Sequence, residues 1–258
     1  MSDVRIAIQI HPQHAEYADI RSAVMQAEEM GVDVVYNWDH FYPLYGEPDG
    51  EHFEAWTMLA SWAEVTSRVE IGCLVTCNTY RNPNLLADMA RTVDHISDGR
   101  LVLGIGSGWF ERDYDEYGYE FGTAGRRLDR LGESLPVIED RMRSLNPAPT
   151  RKIPVLIGGG GEKKTLQFTA RHADIWHFWW GDEWQRKSDV LDDWCAKVGR
   201  DPSEIRRSVG VDRDQVDDFD ALFAGLAATN IDEITLGAGG PDYDLSGIQR
   251  FINWRDSL

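Results

Sequence analysis

The residues best suited to chemistry in this chain are a carboxylate and a histidine that stand side by side, Asp39 and His40. A histidine titrates near neutral pH, so His40 is a candidate proton donor, the alternative being a purely structural histidine. Other histidines, His11, His14 and His52, occur in the same third of the chain. Their spacing matches no metal-ligand motif. We therefore predict acid–base chemistry at His40 and no metal site.

A glycine-rich stretch, Gly104-Ile-Gly-Ser-Gly-Trp109, follows a short hydrophobic run and is the second candidate site. Alternate glycines at the end of a buried strand let a ligand approach the backbone and its N–H groups closely. The third glycine comes one residue too early for the dinucleotide-binding fingerprint, and Trp109 and Phe110 stand before any helix. The pattern favours a flat cofactor with a phosphate tail over a Rossmann-type dinucleotide site.

A third candidate is the segment Gly158-Gly-Gly-Gly-Glu-Lys-Lys-Thr165. A Walker A loop requires glycine where this chain has Lys163, so that motif is absent. What remains is a glycine run before a helix, where free N–H groups and the helix dipole favour an anion. Lys163 and Lys164 add positive charge in an otherwise acidic chain. We predict a phosphate-binding loop, the alternative being a flexible loop in solvent.

Strands and helices alternate along the chain and must position these segments. The predicted strands cover residues 4–10, 32–36, 69–76, 101–105, 155–157, 174–177, 208–211 and 233–236. The predicted helices cover residues 15–30, 53–66, 83–96, 126–145, 164–172, 183–198, 219–228 and 245–254. Eight short apolar strands, each followed by a helix, predict a single α/β domain over residues 1–258, a (β/α)8 TIM barrel. A doubly wound open sheet is the alternative.

In such a barrel the carboxyl ends of the strands meet at one mouth, where the chemistry is placed. Five of the ten tryptophans lie in or beside these ends: Trp38, Trp109, Trp176, Trp179 and Trp180. They predict an aromatic-walled pocket, the alternative being that they belong to the core, where tryptophan is often buried. We assign the substrate pocket to His11, Trp38, His177, Trp179 and Trp180.

The composition limits the partners of the protein. A formal net charge of -18 repels nucleic acids and anionic lipid surfaces. Cys73 and Cys77 would lie roughly 13 Å apart in an extended strand, too far for a disulfide. No segment has the pattern of a signal peptide, and no apolar run approaches the length of a membrane span. We expect a cytoplasmic protein that binds a small molecule, with no nucleic-acid or membrane partner.

Taken together, these motifs resemble those of the bacterial luciferase-like monooxygenase superfamily, in its coenzyme F420-dependent oxidoreductase branch. The resemblance covers almost the whole chain. Its most specific parts are Asp39-His40-Phe41, Asn82-Pro83, Gly104 to Trp109, and Pro154 to Gly161 with Ala173-Asp174 after it. It implies a (β/α)8 barrel that holds a flavin or deazaflavin at its mouth, usually in a homodimer. The regular leucine spacing of the helix over residues 126–145 is consistent with a homodimer.

The resemblance also implies roles for individual residues. A non-proline cis peptide bond would join Cys73 and Leu74 and press on the central ring of the cofactor. Asp39 and Thr76 would bind the deazaflavin, and His40 would be the catalytic residue near its reactive carbon. The ring and its side chain would be lined by Gly106, Ser107, Gly108 and Trp109. The phosphate would be bound by Gly159, Gly160, Gly161, Glu162, Lys163 and Lys164.

Two departures from the family pattern bear on the substrate. Trp109 stands where the sugar-phosphate dehydrogenases of this branch have a glutamate, and Leu44 stands where they have a tryptophan. We therefore do not expect oxidation of glucose 6-phosphate. The resemblance implies an oxidoreductase that moves a hydride between coenzyme F420 and a small organic substrate, in the direction of an F420H2-dependent reductase. The alternatives are a reduced-FMN-dependent monooxygenase and a non-catalytic flavin-binding protein of the same fold.

Overall fold

The structure, a computed structural model, describes residues 4–212 and 218–258. The strands in these residues are β1 (Arg5–Ile10), β2 (Val34–Asn37), β3 (Glu70–Cys73), β4 (Thr76–Cys77), β5 (Leu101–Gly106), β6 (Val155–Gly158), β7 (Ile175–Trp179), β8 (Arg206–Val211) and β9 (Glu233–Ala238). The helices are α1 (Tyr17–Met30), α2 (Ala55–Val65), α3 (Pro83–Ile96), α4 (Glu111–Tyr117), α5 (Ala124–Ser144), α6 (Thr165–His172), α7 (Trp184–Val198), α8 (Phe219–Ala227) and α9 (Ser246–Arg255). The connection between Asp212 and Asp218, which the family resemblance predicts to lack a long insertion, lies largely outside the described residues.

The strands form a closed parallel barrel. Their order is β3-β2-β1-β9-β8-β7-β6-β5-β4, and β3 also pairs with β5, which closes the sheet. Every pairing is parallel. Because β3 and β4 are two parts of one strand, separated by Leu74 and Val75, the barrel has eight positions. The predicted (β/α)8 barrel is confirmed, and the open-sheet alternative is wrong.

The alternation of side chains along each strand explains how the mouth is built. Outward residues of β1 such as Ile6 and Ile8 are buried against the helices, whereas Ala7 joins a separate cluster inside the barrel. On β2 the side chains of Val34 and Tyr36 point into the barrel. Because every second residue of a strand points to the same side, the next inward side chain is that of Trp38, at the mouth.

Local sequence signals set the ends of the helices. Helix α1 ends at Gly31, which has a φ of 100°, the left-handed conformation that favours glycine. Helix α3 begins with Pro83 in its first turn, and the side chain of Asn82 accepts a hydrogen bond from the backbone of Asn84. These are the boundaries that the sequence predicted for the start of α3 and the end of α1.

Besides shifts of one or two residues at the ends of several elements, the structure differs from the sequence-based prediction in two respects. Helix α4 was not predicted, so the described residues contain one α-helix more than the eight expected. The predicted strand over residues 69–76 is interrupted, and its non-proline cis peptide bond joins Leu74 and Val75. The prediction that this bond joins Cys73 and Leu74 is therefore wrong by one residue.

The leucine-rich face of α5 is covered within the chain itself. Leu131, Leu135 and Ile138 are buried, and α5 packs against α3 and α6. This face therefore gives no support to a homodimer, which remains a proposal. No helix in residues 4–212 and 218–258 is both long enough and apolar enough to cross a membrane.

Candidate functional site

The carboxyl ends of the strands open into one pocket of about 1280 Å³. Both glycine-rich turns line it side by side at the ends of the paired strands β5 and β6, through Gly106, Gly108, Gly158 and Gly159. Most of the predicted site residues border the same space: His11, Trp38, Asp39, His40, Leu74, Ser107, Trp109, His177 and Trp179. The structure therefore brings together the motifs that were widely separated in the sequence.

The segment Leu74-Val75 forms a bulge that projects into this pocket, and Gln9 supports it from inside the barrel. The Gln9 Nε2 donates a hydrogen bond to the Leu74 carbonyl oxygen over 2.7 Å. A Cβ atom at Gly106 would lie 2.7 Å from Val75 Cγ2, and one at Gly158 would lie 3.1 Å from Val75 Cγ1. These glycines are needed to make room for the bulge, a role that the sequence reasoning had given to a ligand.

His40 is held by a carboxylate that the sequence reasoning missed. Its Nδ1 lies 2.7 Å from Asp113 Oδ2, and both side chains are buried. The same carboxylate accepts hydrogen bonds from Tyr80 Oη at 2.8 Å and from the backbone nitrogens of Phe41 and Tyr42 at 3.1 and 3.2 Å. Because the Asp113 carboxylate accepts a hydrogen bond from Nδ1–H, Nε2 is the nitrogen of His40 that can interact with a ligand.

Asp113 lies on α4, and the sequence reasoning missed this residue because it did not predict that helix. Helix α4 is only seven residues long, too short to show a hydrophobic period. The sequence does offer one signal for this helix: a glycine, Gly118, directly follows the acidic segment from Glu111 to Tyr117. In the structure Gly118 ends the helix with a φ of 70°.

Asp39 borders the pocket, but both of its carboxylate oxygens are already engaged. Arg81 binds them with Nη1 at 2.5 Å and Nη2 at 2.9 Å, and the backbone nitrogen of Cys77 donates to Oδ2 over 2.9 Å. Arg81 also pairs with Glu54 at 2.6 Å. In the structure Asp39 fixes the end of β2 to β4, and its direct contact with a cofactor stays a prediction.

The aromatic wall on the β1 and β2 side is organised around Trp38. The His11 ring stacks on Trp38 with a centroid distance of 4.3 Å, and its Nδ1 is hydrogen-bonded to the hydroxyl of Tyr45. Trp38 Nε1 donates to His52 Nε2 over 3.0 Å. On the rim, Trp109 and Trp179 are 62% and 56% exposed, so two indole rings are open to an incoming molecule.

The predicted phosphate loop continues from the edge of the pocket to the start of α6. Gly159 borders the pocket, whereas Gly160, Gly161, Glu162, Lys163 and Lys164 do not. Lys164 pairs with Asp129 at 2.6 Å, and Glu162 pairs with Arg186 and Lys187 at 2.7 and 2.6 Å. These hydrogen bonds lower the pKa of Glu162 to about 2, with Lys187 the larger influence. Lys163 is exposed, so of the two lysines it is the one better placed to meet an anion.

Besides the phosphate-loop residues, three more predicted site residues do not border the pocket. The Cys73 side chain packs in the core between barrel and helices, and Thr76 is fully buried; neither borders the pocket. Trp180 also turns away from the mouth, and its ring lies 5.8 Å from that of Trp184 on α7. All three predictions are corrected for the same reason, because neighbouring strand residues point to opposite faces of the barrel wall. Among the described residues no group of histidine, cysteine and acidic side chains is arranged to hold a metal ion.

Two histidines, partly buried His52 and buried His177, make stability depend on pH. Burial lowers the pKa of His52 from 6.5 to about 4, with a smaller contribution from nearby His40, and burial alone lowers that of His177 to about 4. Between these values the unfolded chain binds a proton that the folded chain does not, so stability falls as the pH falls.

We expect the variant His52→Gln to lose less stability on acidification than the unmodified protein. Glutamine can still accept the hydrogen bond of Trp38 but does not titrate. The free energy of unfolding, measured with urea at pH 7 and pH 5, should fall by about 2 kcal/mol less in the variant. The same fall in both proteins would contradict a neutral, buried His52.

The fold and the pocket define a (β/α)8-barrel enzyme with its site at the carboxyl ends of the strands. A family model described as luciferase-like monooxygenase matches residues 3–212. The chain therefore belongs to the luciferase-like monooxygenase family, as its four motifs had indicated.

Individual relatives show the range of this family. An F420-dependent glucose-6-phosphate dehydrogenase of Amycolatopsis mediterranei is 33% identical over 162 residues, which are 55% of this chain and 48% of that protein. Pyrimidine monooxygenase RutA of Allorhizobium ampelinum is 26% identical over 60% of this chain and 47% of its own length. The matches thus span about half the length of these two relatives.

A solved structure with the same fold covers the whole chain. An F420-dependent secondary alcohol dehydrogenase in complex with an F420–acetone adduct superposes with a TM-score of 0.85 over 100% of this chain and 98% of its own. The identity is 17%, so this likeness shows the fold.

Proposed function

We propose that the protein is a coenzyme F420-dependent oxidoreductase that transfers a hydride between the deazaflavin and a small organic substrate, working as an F420H2-dependent reductase. The observation that carries the proposal is that both glycine-rich turns line one pocket together with His40 and the Leu74-Val75 bulge. A relative named as an F420-dependent dehydrogenase supports the choice of cofactor.

The residues of the pocket fit a flat ring with an anionic tail. Eight of its lining residues are glycines, so much of its wall is backbone that a planar molecule can approach closely. Leu74, Val75 and Ser107 would hold the ring, and the loop from Gly159 to Lys164 would hold the phosphate. When bound, the deazaflavin supplies or accepts the hydride.

The side chains of the protein supply the proton and the positioning. His40 is oriented by Asp113 at 2.7 Å and, in its imidazolium form, would donate an Nε2 hydrogen bond or proton to the substrate atom that gains negative charge. Trp38 and Trp109 would cover the substrate and exclude water. Glucose 6-phosphate is not proposed as the substrate, because Leu44 and Trp109 replace the residues expected for it.

Titration of the purified protein with coenzyme F420 and with FMN, followed by fluorescence, tests the proposal. We expect micromolar binding of F420 and no binding of FMN. A screen of F420H2 oxidation with small ketones, imines and activated alkenes should then identify a substrate. Binding of FMN without binding of F420 would overturn the proposal in favour of a reduced-FMN-dependent monooxygenase.

The same titration tests the phosphate loop. Lys163→Ala should weaken F420 binding about fivefold, since an exposed charge–phosphate contact contributes on the order of 1 kcal/mol. Lys152→Ala is the matched control, because Lys152 is exposed and lines a separate cavity that also contains Arg206 and Asp232. Equal affinity in the two variants would show that the phosphate lies elsewhere.

A further inference from the structure

Three polar side chains on adjacent strands form a hydrogen-bonded chain inside the barrel. His177 Nδ1 lies 2.8 Å from Ser208 Oγ, and Ser208 Oγ lies 3.1 Å from Glu233 Oε1. The strand register explains the line, since His177 is paired with Ser208 and Ser208 with Glu233 across β7, β8 and β9. Ser208 and Glu233 are completely buried, and His177 is 8% exposed. The chain therefore runs from the closed interior of the barrel to the pocket.

The charges around Glu233 set the direction of the hydrogen bonds. Its Oε2 faces Arg5 at 3.7 Å and Arg206 at 3.9 Å, and its Oε1 accepts a second hydrogen bond from Tyr36 Oη at 3.1 Å. Two guanidinium groups and two hydroxyl donors suit an ionised carboxylate. The Ser208 hydroxyl then donates to Glu233 and accepts the Nδ1 proton of His177.

This arrangement leaves a lone pair on His177 Nε2 at the pocket. Burial keeps the imidazole neutral at pH 7, because it lowers the pKa of His177 to about 4. The Nε2 edge of the ring lies over Gly210, which also lines the pocket, and Nε2 has no hydrogen-bond partner among the described residues. Strand β7 is four positions from β2 in both directions around the barrel, so His177 stands opposite the strand that leads to His40.

We propose that Glu233, Ser208 and His177 form a proton relay that exchanges a proton with the oxygen of an alcohol or carbonyl substrate in the pocket. This inference rests on the proposed function and narrows its substrate class. For this substrate class His177 would exchange the proton with the oxygen, and His40 would orient the same oxygen through a hydrogen bond from Nε2. Ser208 and Glu233 are positioning residues that act through His177. A relay of this kind suits a substrate whose carbon exchanges a hydride while its oxygen exchanges a proton.

In alcohol oxidation the substrate C–H bond would break and its electron pair would leave as hydride to the oxidised deazaflavin, while the O–H proton would move to His177 Nε2. The Nδ1 proton of His177 would move to Ser208 Oγ, and the Ser208 proton would move to Glu233 Oε1. Burial raises the pKa of the Glu233 carboxyl, against the influence of Arg5 and Arg206, which helps it to hold this proton. Reduction of a carbonyl would run the same path in reverse, starting from protonated Glu233 with the His177 proton on Nε2.

Nitrogen NMR of the cofactor-free protein, with labelled histidine, tests the relay without any turnover. We expect His177 to be protonated at Nδ1 and unprotonated at Nε2, with its signals assigned by their loss in His177→Gln. Ser208→Ala should move the proton to Nε2. Tyr36→Phe is the matched control, since it removes a hydrogen bond to the same carboxylate oxygen without cutting the chain, and it should keep the wild-type signals. A wild-type His177 protonated at Nε2, or signals that Ser208→Ala leaves unchanged, would overturn the relay.

Kinetics with the F420-loaded enzyme give the second readout, using the ketone that turns over in the screen. Ser208→Ala should lower kcat by at least about tenfold with little change in KM, whereas Tyr36→Phe should stay within about twofold of the wild type. Equal losses in both variants would show a merely structural role and overturn the relay. Turnover of imines or alkenes with no ketone would overturn the substrate class. Failure to bind F420 would overturn the proposed function but not the hydrogen-bonded chain, because the NMR result does not depend on the cofactor.

Discussion

Replacing His40 with alanine should slow hydride transfer by about 10³-fold while changing the affinity for F420 little. The variant removes the side chain that Asp113 holds with Nε2 available to the pocket. Loss of a positioned proton donor costs between 10² and 10⁴ in rate. Stopped-flow measurement of F420H2 oxidation with the substrate from the screen gives the rate, and the fluorescence titration gives the affinity.

His95→Ala is the control for this experiment. His95 is exposed, hydrogen-bonds the Ala148 carbonyl oxygen at 2.8 Å, and does not border the pocket. It should retain the wild-type rate. If His40→Ala bound F420 normally and also kept the wild-type rate, His40 would neither donate a proton to the substrate nor orient it. A wild-type protein that bound F420 but transferred no hydride would be a carrier.

The variant Asp113→Asn tests the residue that holds His40 in place. Asparagine at this position keeps the size of the side chain but loses the charge and brings an NH2 group toward four donors, from His40, Tyr80 and the backbone of Phe41 and Tyr42. We expect Asp113→Asn to lower both the rate and the stability, whereas His40→Ala lowers the rate and costs less stability, because three of the four donors to Asp113 remain. The two variants thus separate proton donation from the anchoring of the segment after β2.

Gly104→Ala should prevent the protein from folding or cost at least about 4 kcal/mol of stability. A Cβ at this position would lie 1.9 Å from the carbonyl oxygen of Cys73, which is backbone and cannot rotate away. Both residues lie in the barrel wall, where packing leaves no space for the strands to separate. Soluble yield and urea denaturation measure the effect.

Gly125→Ala is the matched control, since the nearest atom to its added Cβ is Thr123 Oγ1 at 3.8 Å and the position is exposed on α5. This variant should be as stable as the wild type or more stable by about 0.5 kcal/mol, because alanine is the better helix former. Wild-type stability in Gly104→Ala would show that β3 and β5 are not as close as the structure describes.

The barrel could be predicted from the sequence because its strands are short, apolar and separated by amphipathic helices. Asn82 as the cap and Pro83 in the first turn fix the start of α3, for example, without knowledge of its neighbours. The meeting of Gly106 and Gly158 at one pocket also follows from the sequence, because parallel strands bring their carboxyl ends to the same side.

What escaped prediction depends on contacts between distant segments. Asp113 lies 73 residues from His40, and Ser208 lies 31 residues from His177, so neither pair shows a local pattern. The direction in which Trp180 points depends on where β7 ends, a boundary that moved from residue 177 to Trp179. A shift of one residue along a strand turns a side chain from the mouth to the wall.

The three glycines around the Leu74-Val75 bulge have a consequence for engineering. Gly104, Gly106 and Gly158 serve the framework, since a Cβ on any of them would meet backbone or Val75. The exposed indoles of Trp109 and Trp179 serve the rim and carry little of the packing. Variants at Trp109 and Trp179 should therefore change substrate specificity without unfolding the barrel, provided that the three glycines are kept.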